Sequence, residues 1–223
     1  MNNSDVIIKD NPEQIREDLI ERAKKLSPSL LADAMSSFGT MNYAIKPVKP
    51  GVRVIGTAIT VKVKPGDNLF LHKAIYLSGK GYVIVLDSNE NKTCAAWGNM
   101  MTLGAIAMGV EGVILDGAVR DVAEIKELGL PVFASAAVPN GPTTNGPGRI
   151  NSVITCGGVS VNPGDLIFGD DDGVVAVPTH LLEEVLLKAE NKANSEEKRI
   201  KEIKEGKLEP EWVREKVANL LNL

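Results

Sequence analysis

The chain has 223 residues, 43% of them apolar and 24% charged, with a formal net charge of -4 at pH 7. This balance is ordinary for a globular protein, and together with an aromatic content of only 4% it argues against a nucleic-acid partner. The longest near-apolar stretch, residues 100–110, is far shorter than the roughly 20 residues of a membrane span.

The N-terminal residues lack the basic start and apolar core of a signal peptide. The only two cysteines, Cys94 and Cys156, cannot form a disulfide framework in a chain of this length. We therefore expect a cytoplasmic protein without a membrane partner.

The first third of the chain predicts two helices and then a strand. Asn11 followed by a proline caps the first helix, and Ser27 followed by a proline caps the second, which Gly39 ends. From Gly51 onward a run rich in valine, isoleucine and threonine predicts one bent strand or two, with a bulge at Gly56.

The central part alternates short apolar runs with helical patterns. Asp67 caps a helix that Gly79 ends, and the strand "YVIVLD" follows. The segment "TCAAWGNMMTLGAIAMG" is small or apolar on nearly all sides and predicts a buried helix. "GVILD", "DVAEIKELG" and "PVFASAA" continue as strand, helix and strand. The alternation favours a layered α/β core with some parallel pairing.

The alternation of strands and helices ends after the central part. Residues 139–151 hold three glycines and three prolines and predict a loop, and residues 152–178 predict short antiparallel strands over the core. From Thr179 the chain is helical again, and Pro210 starts the last helix. By composition these charged helices are typical of a solvated face. The alternative is contact with a neighbouring subunit, because sparse apolar residues leave them little to bury on their own domain. We divide the chain into an α/β core with N-terminal helices, residues 1–178, and a helical tail, residues 179–223.

Several kinds of site are disfavoured by the motifs. His72 lies inside a helical pattern, His180 lies at a helix start, and neither belongs to a nucleophile or zinc signature. The glycine-rich residues 139–151 do not form a phosphate-binding loop and are read as a flexible loop or a lid over a site. The acidic residues around "NPGDLIFGDDDG" suit tight turns between strands better than metal binding. Any metal would be held by oxygen, which favours Mg²⁺ or Mn²⁺.

Residues 117–121, "GAVRD", place Arg120 and Asp121 where a strand ends and a helix begins. In α/β sheets ligands bind at the carboxyl ends of strands, often on helix N-termini such as that of the nearby "GNMM". Backbone amides and the Arg120 guanidinium could bind the carboxylate of a 2-oxo acid, while Asp121 holds a divalent cation. The alternative from the residues alone is a capping aspartate beside a surface arginine.

Residues 97–134 resemble the core of the 4-hydroxy-4-methyl-2-oxoglutarate aldolase family, also called the RraA-like family, and residues 161–178 resemble its closing β segment. The similarity runs from about residue 66 to residue 178, and the "GxVRD" element after a Gly-x-x-x loop is its most specific part. The resemblance implies an α/β/β/α sandwich of the swivelling phosphohistidine-domain type with a C-terminal helical extension. It also implies homotrimers or hexamers with sites between subunits.

The activity that the resemblance implies is that of a class II, metal-dependent pyruvate aldolase. It would cleave a 4-hydroxy-2-oxo acid to pyruvate and decarboxylate oxaloacetate through the same enolate. Arg120 would bind the keto acid and stabilise the enolate, and Asp121 would coordinate Mg²⁺ or Mn²⁺. Glu196 of a neighbour's tail, or else Glu197, would lie near the metal. The backbone loop around the substrate carboxylate would consist of Gly98, Asn99, Met100 and Met101.

An alternative function is that of a non-catalytic protein-binding regulator, like the ribonuclease E inhibitor of the same fold. Asn99 favours this alternative, because much of the family carries an acidic residue at that position. The long C-terminal helices and the presence of both Arg120 and Asp121 favour the enzyme.

Overall fold

The computed structural model describes residues 6–221. The helices are α1 (Glu17–Lys24), α2 (Pro28–Ala34), α3 (Leu69–Leu77), α4 (Asn99–Met108), α5 (Val122–Leu128), α6 (Leu182–Lys204) and α7 (Glu211–Leu221). The first six strands are β1 (Ile7–Ile8), β2 (Lys46–Pro47), β3 (Val54–Val63), β4 (Tyr82–Asp87), β5 (Ala95–Trp97) and β6 (Gly112–Val119). The others are β7 (Val132–Ala137), β8 (Gly148–Ile150), β9 (Ile154–Cys156), β10 (Val159–Val161), β11 (Leu166–Asp170) and β12 (Gly173–Val177).

One mixed sheet forms the centre of the fold, in the strand order β1-β8-β3-β4-β6-β7-β2. Strands β3, β4, β6 and β7 run parallel to one another, and β5 pairs with β6 in the same sense, whereas the flanking strands β8 and β2 are antiparallel to β3 and β7. Strand β11 pairs antiparallel with both β3 and β12. The predicted parallel core and the antiparallel segment after it are therefore confirmed.

The core lies on both faces of this sheet, and every residue of β6 is buried. Helices α3, α4 and α5 cover one face, while the β9–β10 hairpin packs against apolar residues of the other. A third apolar cluster lies between the β11–β12 hairpin and helices α1, α2 and α6. The layers thus follow the predicted α/β/β/α order, whereas the phosphohistidine-domain designation stays a prediction.

The first predicted helix is wrong at its start, because α1 begins only at Glu17. The side chain of Asn11 donates to the carbonyl of Leu77 at 2.6 Å instead of capping a helix. The carbonyl of Pro12 accepts from the Tyr82 hydroxyl at 2.8 Å. These long-range bonds tie the segment against the sheet, so local capping signals do not decide its conformation.

Two further details differ in the N-terminal half. Ser27 caps α2 as predicted, but the helix ends at Ala34, before Gly39. The bulge at Gly56 is wrong, since β3 pairs in continuous register through that residue. A Cβ there would lie 2.8 Å from the carbonyl oxygen of Gly81, so glycine serves the close approach of two backbones.

The acidic turns near the end of the core are structural, as expected. The Asp165 carboxylate accepts from the backbone N–H of Asn162 at 2.8 Å. The Asp170 carboxylate accepts in the same way from Asp172 at 2.9 Å. Such side-chain-to-backbone bonds are what aspartate contributes to turns.

The predicted buried helix is wrong in two respects. Its first residues form β5, and α4 itself is buried on one side only. Apolar side chains on its outer face are exposed, Met100 to 75% and Leu103 to 43%. Among residues 6–221 no element covers this face, so the apolar pattern of α4 continues onto an exposed surface.

The helical tail divides into two parts. The first half of α6 packs on its own core through Leu182, Val185, Leu186 and Ala189. The described residues of α7 include none that is buried. Contact of the tail with a neighbouring subunit stays a prediction, and its last residues, 222–223, lie outside the described part. No helix in the described chain combines the length and apolarity that crossing a membrane requires.

Candidate active site

Two neighbouring strand-to-helix junctions form the centre of the site. Strand β5 leads through Gly98 into α4, and the adjacent parallel strand β6 leads through Arg120 and Asp121 into α5. The backbone N–H of Arg120 donates to the carbonyl of Trp97 at 3.0 Å, which holds the two junctions side by side. The structure therefore brings together the two segments that the sequence singled out.

Asp121 caps a helix, but not the helix that it precedes. Its backbone has φ 58° in the left-handed region, which aspartate and asparagine tolerate better than most residues. Its Oδ2 accepts from the backbone N–H of Asn99 at 3.0 Å, at the start of α4, and lies 3.7 Å from Nε of Arg120. Oδ1 has no hydrogen-bond partner within residues 6–221, so one carboxylate oxygen remains open.

The start of α4 offers further donors. The first N–H groups of a helix have no intrahelical partner and carry the positive end of its dipole. Asp121 accepts from the N–H of Asn99, whereas the N–H groups of Met100 and Met101 have no acceptor in the described chain. With the half-exposed Arg120 guanidinium beside them, these amides make a site for an anion.

Trp97 fixes the junction before α4. Its ring is 1% exposed, and its Nε1 donates to the Thr102 hydroxyl at 2.8 Å. That hydroxyl in turn donates to the carbonyl of Gly98 at 3.0 Å. The backbone amides at this helix start are therefore held in place before any ligand arrives.

A cavity of about 240 Å³ opens beside these groups. Its walls come from both junctions, from α3 and from the loop after β7. The lining residues are Asn68, His72, Ala95, Ala96, Trp97, Gly98, Met100, Met101, Arg120, Asp121, Gly141, Pro142 and Thr144. Of the predicted substrate-binding residues, only Asn99 does not line the cavity, and its backbone N–H donates to Asp121.

Two glycines allow the charged pair to lie close to the backbone. A Cβ on Gly98 would lie 2.7 Å from Oδ2 of Asp121 and 3.2 Å from Cγ of Arg120. A Cβ on Gly141 would lie 2.9 Å from Nη1 of Arg120. Gly98 has φ -162°, an extended conformation open to any residue, so space is the reason for glycine there.

The loop at residues 139–147 is a tethered wall of the cavity. Asp67 accepts at Oδ2 from the Asn145 backbone at 2.6 Å and from the Thr143 hydroxyl at 2.9 Å. At the other end of the loop, the Asn140 carbonyl accepts from the N–H of Ala95 at 2.8 Å. These bonds attach the loop both to the start of α3 and to β5.

The pKa of Asp67 reflects these bonds. Burial alone would raise it, but hydrogen bonds from the Leu69 and Asn145 backbones and the Thr143 hydroxyl hold the pKa below its usual value. The carboxylate that anchors the loop is therefore ionised at neutral pH.

The donor set at the junctions fits a hard divalent cation. Within residues 6–221 no cluster of three or more His, Cys, Asp or Glu side chains could hold a metal. Mg²⁺ is nevertheless bound through as few as one or two carboxylates, together with waters and substrate oxygens. The open Oδ1 of Asp121 suits that role. Glu196 is exposed on α6 and does not line the cavity of its own chain, so its contribution from a neighbouring copy stays a prediction.

Comparison with known proteins identifies the family. The profile of RraA-like proteins (Aldolase/RraA) matches residues 29–176. The chain belongs to the RraA-like family. An RraA-like relative from Halalkalibacterium halodurans, provisionally named a 4-hydroxy-4-methyl-2-oxoglutarate aldolase, is 36% identical over 189 residues, which cover 85% of this chain and 90% of the relative.

Solved RraA-like structures have the same fold. An uncharacterized protein from Pseudomonas syringae superimposes with a TM-score of 0.78 at 28% identity, covering 87% of this chain and 92% of that one. The RNA-processing inhibitor RraA from Thermus thermophilis superimposes with a TM-score of 0.63 at 27% identity, covering 68% and 92%. The first comparison extends the similarity beyond the residues matched by the family profile.

Among the cavity residues that sequence reasoning missed in this RraA-like chain are two polar ones near the start of α3, Asn68 and His72. His72 was interpreted only as part of an apolar helical pattern and dismissed as a nucleophile. The available signal was spacing, because residues four apart lie on one face of a helix. A polar face at the start of α3 would have shown that this helix borders a site.

Proposed function

We propose that this RraA-like chain is a divalent-metal-dependent carbon–carbon lyase. It cleaves a 4-hydroxy-2-oxo acid, similar to 4-hydroxy-4-methyl-2-oxoglutarate, to pyruvate, and it decarboxylates oxaloacetate through the same enolate. One observation carries the proposal. The Arg120 guanidinium, the open oxygen of Asp121 and the unpaired amides at the start of α4 all meet at one cavity.

The substrate carboxylate would bind the amides of Met100 and Met101, where the dipole of α4 adds to the attraction. Arg120 would donate to the carboxylate and to the C2 carbonyl oxygen, since its planar group offers several donors. This arrangement orients the 2-oxo acid so that its C2 oxygen lies beside the charged pair.

Cleavage breaks the C3–C4 bond, and its electron pair moves to C3 to give the pyruvate enolate. In aldol cleavage the C4 hydroxyl passes its proton to solvent water in the open cavity, and C4 becomes a carbonyl carbon. In oxaloacetate the same bond breaks with loss of carbon dioxide. Arg120 stabilises the negative charge that develops on the C2 oxygen in both reactions. A divalent cation held by Asp121 would polarise the C2 carbonyl.

A second candidate is a non-catalytic regulator of ribonuclease activity. The similarity to a structure named as an RNA-processing inhibitor supports it, as does Asn99 at a position where an acidic residue was expected. Conversely, the similarity to a relative provisionally named an aldolase extends over 85% of this chain and supports the enzyme.

The test is pyruvate release from oxaloacetate and from a panel of 4-hydroxy-2-oxo acids, with Mg²⁺ or Mn²⁺ and with a chelator. We expect metal-stimulated turnover in the natural chain. Arg120→Ala should lower the rate on the order of 10²–10³-fold, as loss of an oxyanion donor does. Asp121→Asn should abolish metal stimulation, while asparagine retains the left-handed backbone of residue 121.

Glu124→Gln provides the matched control, since it removes an exposed carboxylate from the first turn of α5. This variant should keep the natural rate. Release no faster than that of a protein-free sample with the same metal concentration would favour the regulator. Natural rates in both site variants would show that the reaction occurs elsewhere.

A further inference from the structure

Helix α3 presents two polar side chains to the cavity that the proposed mechanism does not use. Asn68 precedes the helix and His72 lies one turn later, with the His72 backbone N–H donating to the Asn68 carbonyl at 3.0 Å. Residues at this spacing lie about 5–6 Å apart at Cβ on one face of a helix. Both line the cavity that contains Arg120 and Asp121.

Asn68 is 4% exposed, and its side-chain amide forms hydrogen bonds through the nitrogen but not through the oxygen. Its Nδ2 donates to the carbonyl of Ala96 at 3.1 Å and approaches Sδ of Met101 at 3.4 Å, which fixes the orientation of the amide. Its Oδ1 is buried and accepts no hydrogen bond from the described chain. A buried acceptor without a donor is unfavourable, so this atom favours a ligand that brings one.

The His72 ring is half-buried and makes no hydrogen bond or ion pair within residues 6–221. Burial lowers its pKa, so the ring is neutral at neutral pH. A neutral imidazole carries one N–H donor and one acceptor nitrogen.

We propose that Asn68 and His72 recognise the C4 hydroxyl of the substrate, a role that rests on the proposed function. The hydroxyl donates to Oδ1 of Asn68 and accepts from the ring N–H of His72. The substrate carboxylate and C2 oxygen bind Arg120 and the α4 amides. The remainder of the substrate therefore contacts α3 and the loop at residues 139–147.

A hydroxyl matches this pair better than other oxygen groups. Carboxylates and ketones offer only acceptors, and neither could pair with Oδ1 of Asn68, whereas a hydroxyl both donates and accepts. Sites built to bind a hydroxyl discriminate strongly against analogues that lack it, because their own polar groups are then left unpaired. The two residues thus determine specificity for a hydroxyl at C4.

The experiment compares two reactions in each variant, namely cleavage of a 4-hydroxy-2-oxo acid and decarboxylation of oxaloacetate, which has no C4 hydroxyl. His72→Leu should lower the ratio of kcat/KM for cleavage to that for decarboxylation on the order of 10–100-fold. His72→Gln, which keeps an N–H donor, should restore most of this ratio. His180→Leu alters the other histidine, exposed and outside the cavity lining, and should leave the ratio as it is.

A binding measurement separates this inference from the proposed function. Calorimetry without divalent cation compares 4-hydroxy-2-oxopentanoate with 2-oxopentanoate. Tighter binding of the hydroxylated acid, lost in Asn68→Leu, which removes the acceptor oxygen, and in His72→Leu, supports recognition even in a protein that catalyses nothing. An active natural chain whose ratios and affinities do not respond to His72→Leu would overturn the inference. Equal loss of both reactions would overturn it too, since His72 would then act at the enolate end.

Discussion

Gly98 lies at the most crowded position of the site. The carboxylate of Asp121 and the side chain of Arg120 both approach it so closely that an added methyl group would displace them. Its backbone conformation is extended and suits any residue. A substitution here therefore tests the placement of the charged pair with little direct cost to folding.

We predict that Gly98→Ala lowers kcat/KM on the order of 10²-fold, since misplacing catalytic groups by about 1 Å has effects of that size. Steady-state kinetics and a thermal melt of the same samples check this. Gly104→Ala, within α4, is the control, because its added Cβ would lie 3.7 Å from the nearest atom, Cγ2 of Ile75. The control should keep its activity and gain about 0.5–1 kcal/mol of stability. Equal activity in the two variants would contradict the assigned geometry.

At the scale of single residues, the sequence predicted which side chains meet but not how they bond. "GAVRD" placed Arg120 and Asp121 at a strand exit because buried runs and helix starts are local signals. The bond from Asp121 to the backbone of Asn99 spans 22 residues, and only the pairing of β5 with β6 creates it. The unpaired amide oxygen of Asn68 likewise depends on Ala96, which no local pattern could indicate.

Among the elements, the loop at residues 139–147 and helix α3 act as a unit. Asp67 joins them by accepting from the Leu69 backbone at one oxygen and from Asn145 and Thr143 at the other. Composition predicted a flexible loop or a lid, since glycine and proline disfavour regular structure. The fixed wall that the structure shows depends on one buried carboxylate from a distant part of the chain.

We predict a pH-dependent contribution of Asp67 to stability. Its pKa is lower in the folded chain, so the contribution is present above the unfolded pKa of about 3.9 and is lost as pH falls through the folded pKa. Asp67→Asn should lower the free energy of unfolding by about 2–3 kcal/mol at pH 7, as expected for lost bonds to a charged group. The deficit should shrink below about pH 4, where the carboxylate takes up a proton in the unfolded chain while it is still ionised in the folded one.

Urea denaturation at several pH values measures this deficit. Asp171→Asn is the matched control, because that carboxylate also accepts from a backbone N–H, that of Gly51, but is exposed and remote from the cavity lining. A deficit for Asp67→Asn that stays constant from pH 7 to pH 3 would indicate lost packing rather than lost charge.

For the molecule as a whole, the outer faces of α3 and α4 are exceptionally apolar for a surface. Tyr76, Met100, Leu103 and Ile106 are all exposed there. Met100 also lines the cavity, so this face reaches the edge of the site. Apolar surfaces of this kind mark contacts between proteins. We propose that a second copy covers it, in a homotrimer or hexamer whose partner completes the site.

Leu103→Glu should therefore weaken self-association and lower activity together, because it places a charge in that contact. Analytical ultracentrifugation across a range of concentrations, with pyruvate release from the same samples, provides the measurement. Ala123→Glu, an exposed position on α5, is the matched substitution and should associate normally. A natural chain that sediments as a monomer of 23.8 kDa at every concentration would refute the proposed assembly.

The layered core was predictable from the sequence because alternating buried strands and helices leave a strong pattern. The conformation of residues 9–16 was not, since bonds to Leu77 and Tyr82 replace the helix that Asn11 was predicted to cap. The open face of α4 was mistaken for a buried one because the same apolar pattern serves a core and a contact between subunits.

The charged pair lies between β6 and α5, apart from α3 and the loop at residues 139–147, and this has a consequence for how such a protein could diversify. The proposed mechanism assigns cleavage to the Arg120–Asp121 junction, whereas substrate specificity is assigned to α3 and to the loop. Laboratory evolution confined to α3 and that loop should thus yield activity on new substrates while Arg120 and Asp121 stay unchanged.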